Sequence, residues 1–177
     1  ITALGFSIAG DYGGGNLNGY TIKMGSTSAT NSAAHNVDAT TVVKTSFAYN
    51  PTVTAAGAFD MITFSTPYLY AGGNIIVDIC SAGPNAYTSP YGQVRTIAAT
   101  TTNGSRFVRS DSGSSQCGIN TGTTNNKKPQ IRFAYSGASA CSGTPAPGNT
   151  ITSASSTCPS NAVSLSSLNR TADKCSI

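Results

Sequence analysis

LNGYTIKM, at positions 17–24, decides the class of fold. Tyr20, Ile22 and Met24 fall on one side of an extended chain, Thr21 and Lys23 on the other. That period of two predicts a half-buried strand, because successive side chains of extended backbone point to opposite faces. Before it, Gly13, Gly14, Gly15 and Asn16 break the chain, and 1–9 carries Leu4, Phe6 and Ile8 with the same period. After it, a Ser/Thr/Asn/Gly loop runs from 25 to about 38, and 40–47 is a third candidate strand ended by Asn50-Pro51.

Further along, Ile62 and Phe64 alternate with Thr63 and Ser65 until Pro67. In 74–80, Ile75, Val77 and Ile79 alternate with Ile76, Asp78 and Cys80. That run is apolar on almost both faces, which predicts a central strand. Segments 93–101, 106–110 and 130–135 follow, the last with Ile131, Phe133 and Tyr135 against Arg132 and Ala134. About eight short strands, bounded by Gly, Pro, Asn and Ser, predict an all-β chain folded as a two-sheet antiparallel β-sandwich, a jelly roll of about eight strands. A seven-stranded immunoglobulin-type sandwich is the alternative, weakened by the absence of Trp for its usual core.

Composition agrees. The 177 residues include 24 Ser, 24 Thr and 19 Gly, which suit strands and turns more than helices. There are 10 basic residues and 6 acids, every acid an Asp. The net charge of +4 therefore reflects scarce acids. The only adjacent basic pair is Lys127-Lys128, against the clustered cations a nucleic-acid binder needs. No apolar run approaches the ~18 residues of a membrane span. With one His and no Glu, hydrolytic and acid–base chemistry is hard to staff, and no enzyme activity is expected.

After Tyr135 the sequence becomes small and Pro-bearing, SGASACSGTPAPGN at 136–149. The expected organisation is a β-sandwich over 1–136, a linker over 137–149, and over 150–177 a partial second small β (immunoglobulin-like) domain or a C-terminal extension. The chain opens at Ile1 in strand-like sequence, as a mature or internal piece of a longer secreted chain would.

The five Cys show no CxxC and no pairing with His, so zinc spacing is absent, and dispersed Cys with low charge suit an extracellular, oxidising setting. Cys80 and Cys117 fall inside the first domain and are expected to pair, 37 positions apart. Closing such a loop removes roughly 4 kcal/mol of unfolded-state entropy in the chain-entropy model. Cys158 and Cys175 bracket a short apolar pattern and could bridge, leaving Cys141 for a partner beyond the chain. The alternative is Cys141–Cys158, leaving Cys175 free.

His35, in SAAHNVD at 32–38, could act as a base or ligand with Asp38, but too few partners lie near it in sequence; an exposed loop His is the simpler reading. No GxSxG motif exists. Asp11, Asn16 and Asn18 flank the Gly-rich turn with hard oxygens that could hold a structural calcium, and ordinary turn chemistry explains the same residues. No other cofactor is expected. Asp78 is read as pointing outward, or pairing with Arg132 or Arg109. Arg106 and Arg109 with Phe107 and Val108 read as solvated face and core of one strand. Tyr87, Tyr91, Asn85 and Gln93 form the ligand-binding candidate: rings stack on sugar faces and amides meet hydroxyls.

Five segments in order carry a resemblance: NGYTIKMGSTSAT (18–30), FDMITFSTPYLYAGGNIIVDIC (59–80), SRFVRSD (105–111), Cys117, and TGTTNNKKPQIRF (121–133). Together they resemble a jelly-roll-like module of large secreted and cell-surface, adhesin-type proteins of gliding Bacteroidota. CSGTPAPGNTITSASSTCPSNAVSLS (141–166) resembles the junction into a following repeat. The resemblance implies type IX secretion, repeat modules and a cell-surface or secreted role, and carries no catalytic residues. The expected function is thus a non-enzymatic extracellular module acting in adhesion or surface and matrix contact. Its partners would be neighbouring domains of the same long chain and surface polysaccharide or other cell-surface components. The alternative is an ancillary carbohydrate-binding module of a secreted enzyme.

Overall fold

The computed structural model describes residues 1–85, 88–98, 102–109 and 115–136. Ile1–Tyr135 form one compact unit. The expected linker, the expected second β domain and Cys141, Cys158 and Cys175 lie outside the described residues.

The described chain is all-β. Its strands are β1 (Ala3–Phe6), β2 (Ile8–Gly10), β3 (Leu17–Thr27), β4 (Thr41–Tyr49), β5 (Asp60–Thr63) and β6 (Asn74–Ser81), then β7 (Gln93–Val94), β8 (Thr96–Ala98), β9 (Ser105–Phe107), β10 (Thr123–Asn125), β11 (Lys127–Pro129) and β12 (Ile131–Ala134). Two three-stranded antiparallel sheets, β12-β1-β5 and β4-β3-β6, share one core, as in a β-sandwich. Three two-stranded ladders, β2-β7, β8-β11 and β9-β10, extend the architecture. Jelly-roll strand order is a finer statement than these pairings make.

Two expectations are corrected in detail. The segment 74–80 was expected at a sheet centre; β3 takes that place, between β4 and β6. On the second face of β6, Cys80 carries the disulfide to Cys117 and Asp78 is exposed. The strands are also shorter and more numerous than the alternation implied. The 1–9 strand is interrupted at Ser7, where its neighbour changes from β12 to β7. There three backbone bonds close a ring: Ser7 N–H to Gln130 O (3.2 Å), Gln130 N–H to Arg95 O (2.8 Å), Arg95 N–H to Ser7 O (2.8 Å). Ser7 is fully buried. Arg95 Nη1 donates to Ser7 Oγ (3.2 Å), Ile8 O (2.6 Å) and Thr54 Oγ1 (3.3 Å), so the buried polar atoms of this junction are satisfied.

Leu4, Ile22, Met24 and Val43 are completely buried, with Phe6, Ile8, Tyr20, Tyr49, Ile62, Phe64 and Tyr68 around them. Burying each such side chain stabilises the fold by about 1.5–3 kcal/mol. Tyr20 packs edge-on to Phe47 (centroids 5.7 Å apart) and tilted on Tyr49 (4.8 Å). Tyr49 Oη donates to Asp60 Oδ2 (2.8 Å), which also accepts from Thr52 N–H (2.9 Å), tying β4 of one sheet to β5 of the other. Burial, then the Asp60 charge, pushes the Tyr20 phenol above its ordinary value. Burial and the Asp60 hydrogen bond do the same to Tyr49.

Candidate functional site

Two loop regions collect the residues singled out above. In the first, the Gly-rich turn packs against the loop before β7. Gly13 N–H donates to Pro90 O (2.7 Å), and a Cβ at Gly13 would overlap the Ser89 carbonyl. Asn85 Oδ1 accepts from Asn18 N–H (2.6 Å), Asn85 Nδ2 donates to Ser81 Oγ (2.6 Å), and Asn18 Nδ2 donates to Pro84 O (3.0 Å). Asp11 Oδ1 accepts from Tyr12 N–H (2.9 Å). So Asn18 and Asn85, taken from the calcium and ligand sets respectively, meet each other and brace the loops. Asp11 and Asn16 are exposed on the same turn. Tyr91, 51% exposed, and Gln93, exposed opposite Gly10 on β7, lie on the facing segment. Tyr87 lies outside the described residues. No group of three or more His, Cys, Asp or Glu able to hold a metal occurs among the described residues.

The second region is built on the outer face of β3 and β6. Lys23 stands directly opposite Asp78, and Thr21 opposite Cys80, on the face turned away from buried Ile22 and Met24. Over Lys23, Asp78 and Cys80 opens a cleft of about 280 Å³. One wall is the β3–β4 loop with His35, Asn36, Val37 and Ala39; the other is Gln116, Gly118, Ile119 and Asn120. Val37 (72% exposed) and Ile119 (37%) bring apolar surface to a polar floor.

Each wall is fixed. The Cys80–Cys117 disulfide fastens the second wall to the floor, as the sequence predicted. The first is held by Arg106, whose Nε, Nη2 and Nη1 donate to Ser32 O (3.3 Å), Ala33 O (2.5 Å) and Gly122 O (2.8 Å). Ser32 N–H donates to Asn103 O (2.8 Å), and Asn74 Nδ2 to Ala29 O (3.1 Å). Within the loop, Thr27 Oγ1 donates to Asp38 Oδ2 (2.6 Å) and accepts from Asn36 Nδ2 (2.8 Å). Gly25 admits the returning chain: a Cβ there would overlap the Asp38 carbonyl.

His35 is therefore exposed, as expected, but borders the cleft, while Asp38 is bonded to Thr27. Asp78 is exposed and faces Lys23; Arg132 lies instead over the Phe59 ring, 5.0 Å from its centre. Arg106 and Phe107 exchange their expected roles: the arginine is half-buried against three carbonyls and Phe107 is 43% exposed. Sequence reasoning missed Lys23, Val37, Ile119 and Asn120 as lining. The available signal was Lys23 on the outer face of β3, with Asp78 and Cys80 sharing a face of β6. Pairing of β3 with β6 was what the sequence lacked.

Among the described residues no helix is long and apolar enough to cross a membrane. Comparison with protein-family models, with curated proteins and with solved structures gives no match.

Proposed function

We propose that this chain is a non-enzymatic extracellular module of a bacterial surface or secreted protein, working in adhesion or contact with surface matrix. The observation that carries the reading is the way wide polar loops are fixed to the sandwich: by a disulfide on one side and by Arg106 on the other. Binding loops on a rigid scaffold need no ordering when they meet a partner, and so keep more of their contact energy. The disulfide supports an oxidising, extracellular site of action. Asp11, Asp38 and Asp60 accept hydrogen bonds within the scaffold, a use that supports structure over acid–base chemistry. The ordered segments that resemble adhesin-type modules of gliding Bacteroidota support a bacterial surface setting, with neighbouring domains and surface polysaccharide as partners.

The alternative, an ancillary carbohydrate-binding module, is favoured by the cleft, where exposed Val37 and Ile119 stand beside Lys23, Asp78 and Asn120. The test is adsorption of the folded, oxidised module to bacterial surfaces and immobilised polysaccharides, alongside glycosidase and peptidase assays. Binding without turnover is the expected result. Turnover abolished by His35→Ala ends the non-enzymatic reading, and a folded module that binds no surface ends the adhesive one.

A further inference from the structure

We propose that the cleft over β3 and β6 is a subsite for a single neutral sugar ring. This rests on the reading that the module contacts surface polysaccharide, and assigns that contact to residues outside the Tyr91 loop.

Charge selects the class of ligand. Lys23 and Asp78 are direct cross-strand neighbours, and side chains so placed have Cβ atoms about 4.5–5.5 Å apart. An anion attracted by Lys23 is repelled by Asp78, and a cation meets the reverse. A neutral polyol suffers neither. An ammonium only donates hydrogen bonds and a carboxylate only accepts them, whereas a hydroxyl does both. Two adjacent ring hydroxyls can thus accept from Lys23 and donate to Asp78 together. Asn120 adds an amide, which offers both donor and acceptor.

Shape and surface select within the class. At about 280 Å³ the cleft is just smaller than the roughly 300–1,000 Å³ of sites for drug-sized molecules, so it suits one ring. Val37 and Ile119 supply apolar surface for the C–H face of a pyranose. The fixed walls make the cleft pre-formed, as small-molecule sites usually are.

The test is an amide ¹H–¹⁵N titration of the oxidised module at constant pH. The probes are the methyl pyranosides of glucose, galactose, mannose and N-acetylglucosamine. Saturable shifts from at least one glycoside, centred on Lys23, Val37, Asp78 and Ile119, are expected. Asp78→Asn and Ile119→Ala change exposed positions, and each should weaken binding roughly tenfold or more. Tyr91→Ala should leave these shifts unchanged. The proposal is overturned by silence of the cleft amides toward every glycoside, by shifts confined to the Tyr91 loop, or by equal shifts from acetate or methylammonium. Immobilised polysaccharide, run in parallel, separates the two failures: adsorption with a silent cleft sinks the subsite alone, and no adsorption sinks the surface reading as well.

Discussion

The two faces of β3 differ in what made them. On the inner face Tyr20, Ile22 and Met24 are buried in the core shared by both sheets. The outer face carries Thr21 and Lys23, which by alternation alone would be an ordinary solvated surface. It becomes the floor of a cleft because two loops are fastened above it, one by a disulfide to β6 and one by Arg106. The inner face expresses a local period; the outer face expresses contacts made from far along the chain. Substitution should therefore affect the inner face mainly through stability and the outer face mainly through shape.

The largest effect is expected inside. Ile22→Ala removes a completely buried side chain and should cost about 2–5 kcal/mol in chemical denaturation, as core truncations do. A loss below 1 kcal/mol would mean that the core is not centred on β3. Next comes the fastening of the cleft. Replacing both Cys80 and Cys117 by Ser should cost about 2–4 kcal/mol, since the loop they close spans 37 positions. The same loss should follow reduction of the parent protein, and an unchanged unfolding midpoint would refute the bridge.

Arg106→Ala is expected to cost about 1–3 kcal/mol, because three carbonyls lose a charged donor. Its distinguishing sign is local: faster hydrogen exchange at 29–38, with β3 and β6 still protected. Uniform acceleration across the sheets would show that the arginine braces the whole fold.

Alkaline pH probes the inner face again. The Tyr20 and Tyr49 phenols are raised in the folded protein, so the fold holds their protons more tightly than the unfolded chain does. Their contribution is fully present below pH ~10, the ordinary tyrosine value, and is lost as pH rises toward the folded values. Above pH ~10 each should steepen the fall in stability by up to ~1.4 kcal/mol per pH unit. Tyr49→Phe should remove one such component from the slope, and an unaltered slope would place the alkaline sensitivity elsewhere. Smallest of all, Lys23→Ala on the outer face should change stability by no more than about 0.5 kcal/mol. A cost approaching that of Ile22→Ala would erase the distinction between the faces.

The sequence by itself determined the all-β class, the buried side of β3 and the Cys80–Cys117 pairing, because these follow from a period of two and from which cysteines share a domain. β10 and β11 escaped notice since TTN and KKP carry no apolar alternation; their pairing with β9 and β8 is made by backbone groups, which every residue supplies alike. Asp78 could be read as exposed, but its facing partner could not, since register between strands 55 positions apart is a tertiary fact. Arg106 and Phe107 show the limit most plainly. Alternation implied a charged outside and an aromatic inside, yet the arginine turned inward to three loop carbonyls that no local pattern could place beside it. Only the tertiary structure decided that β3 is central, that Ser7, Arg95 and Gln130 close a junction, and that a cleft exists, because each depends on distant backbone groups finding their partners.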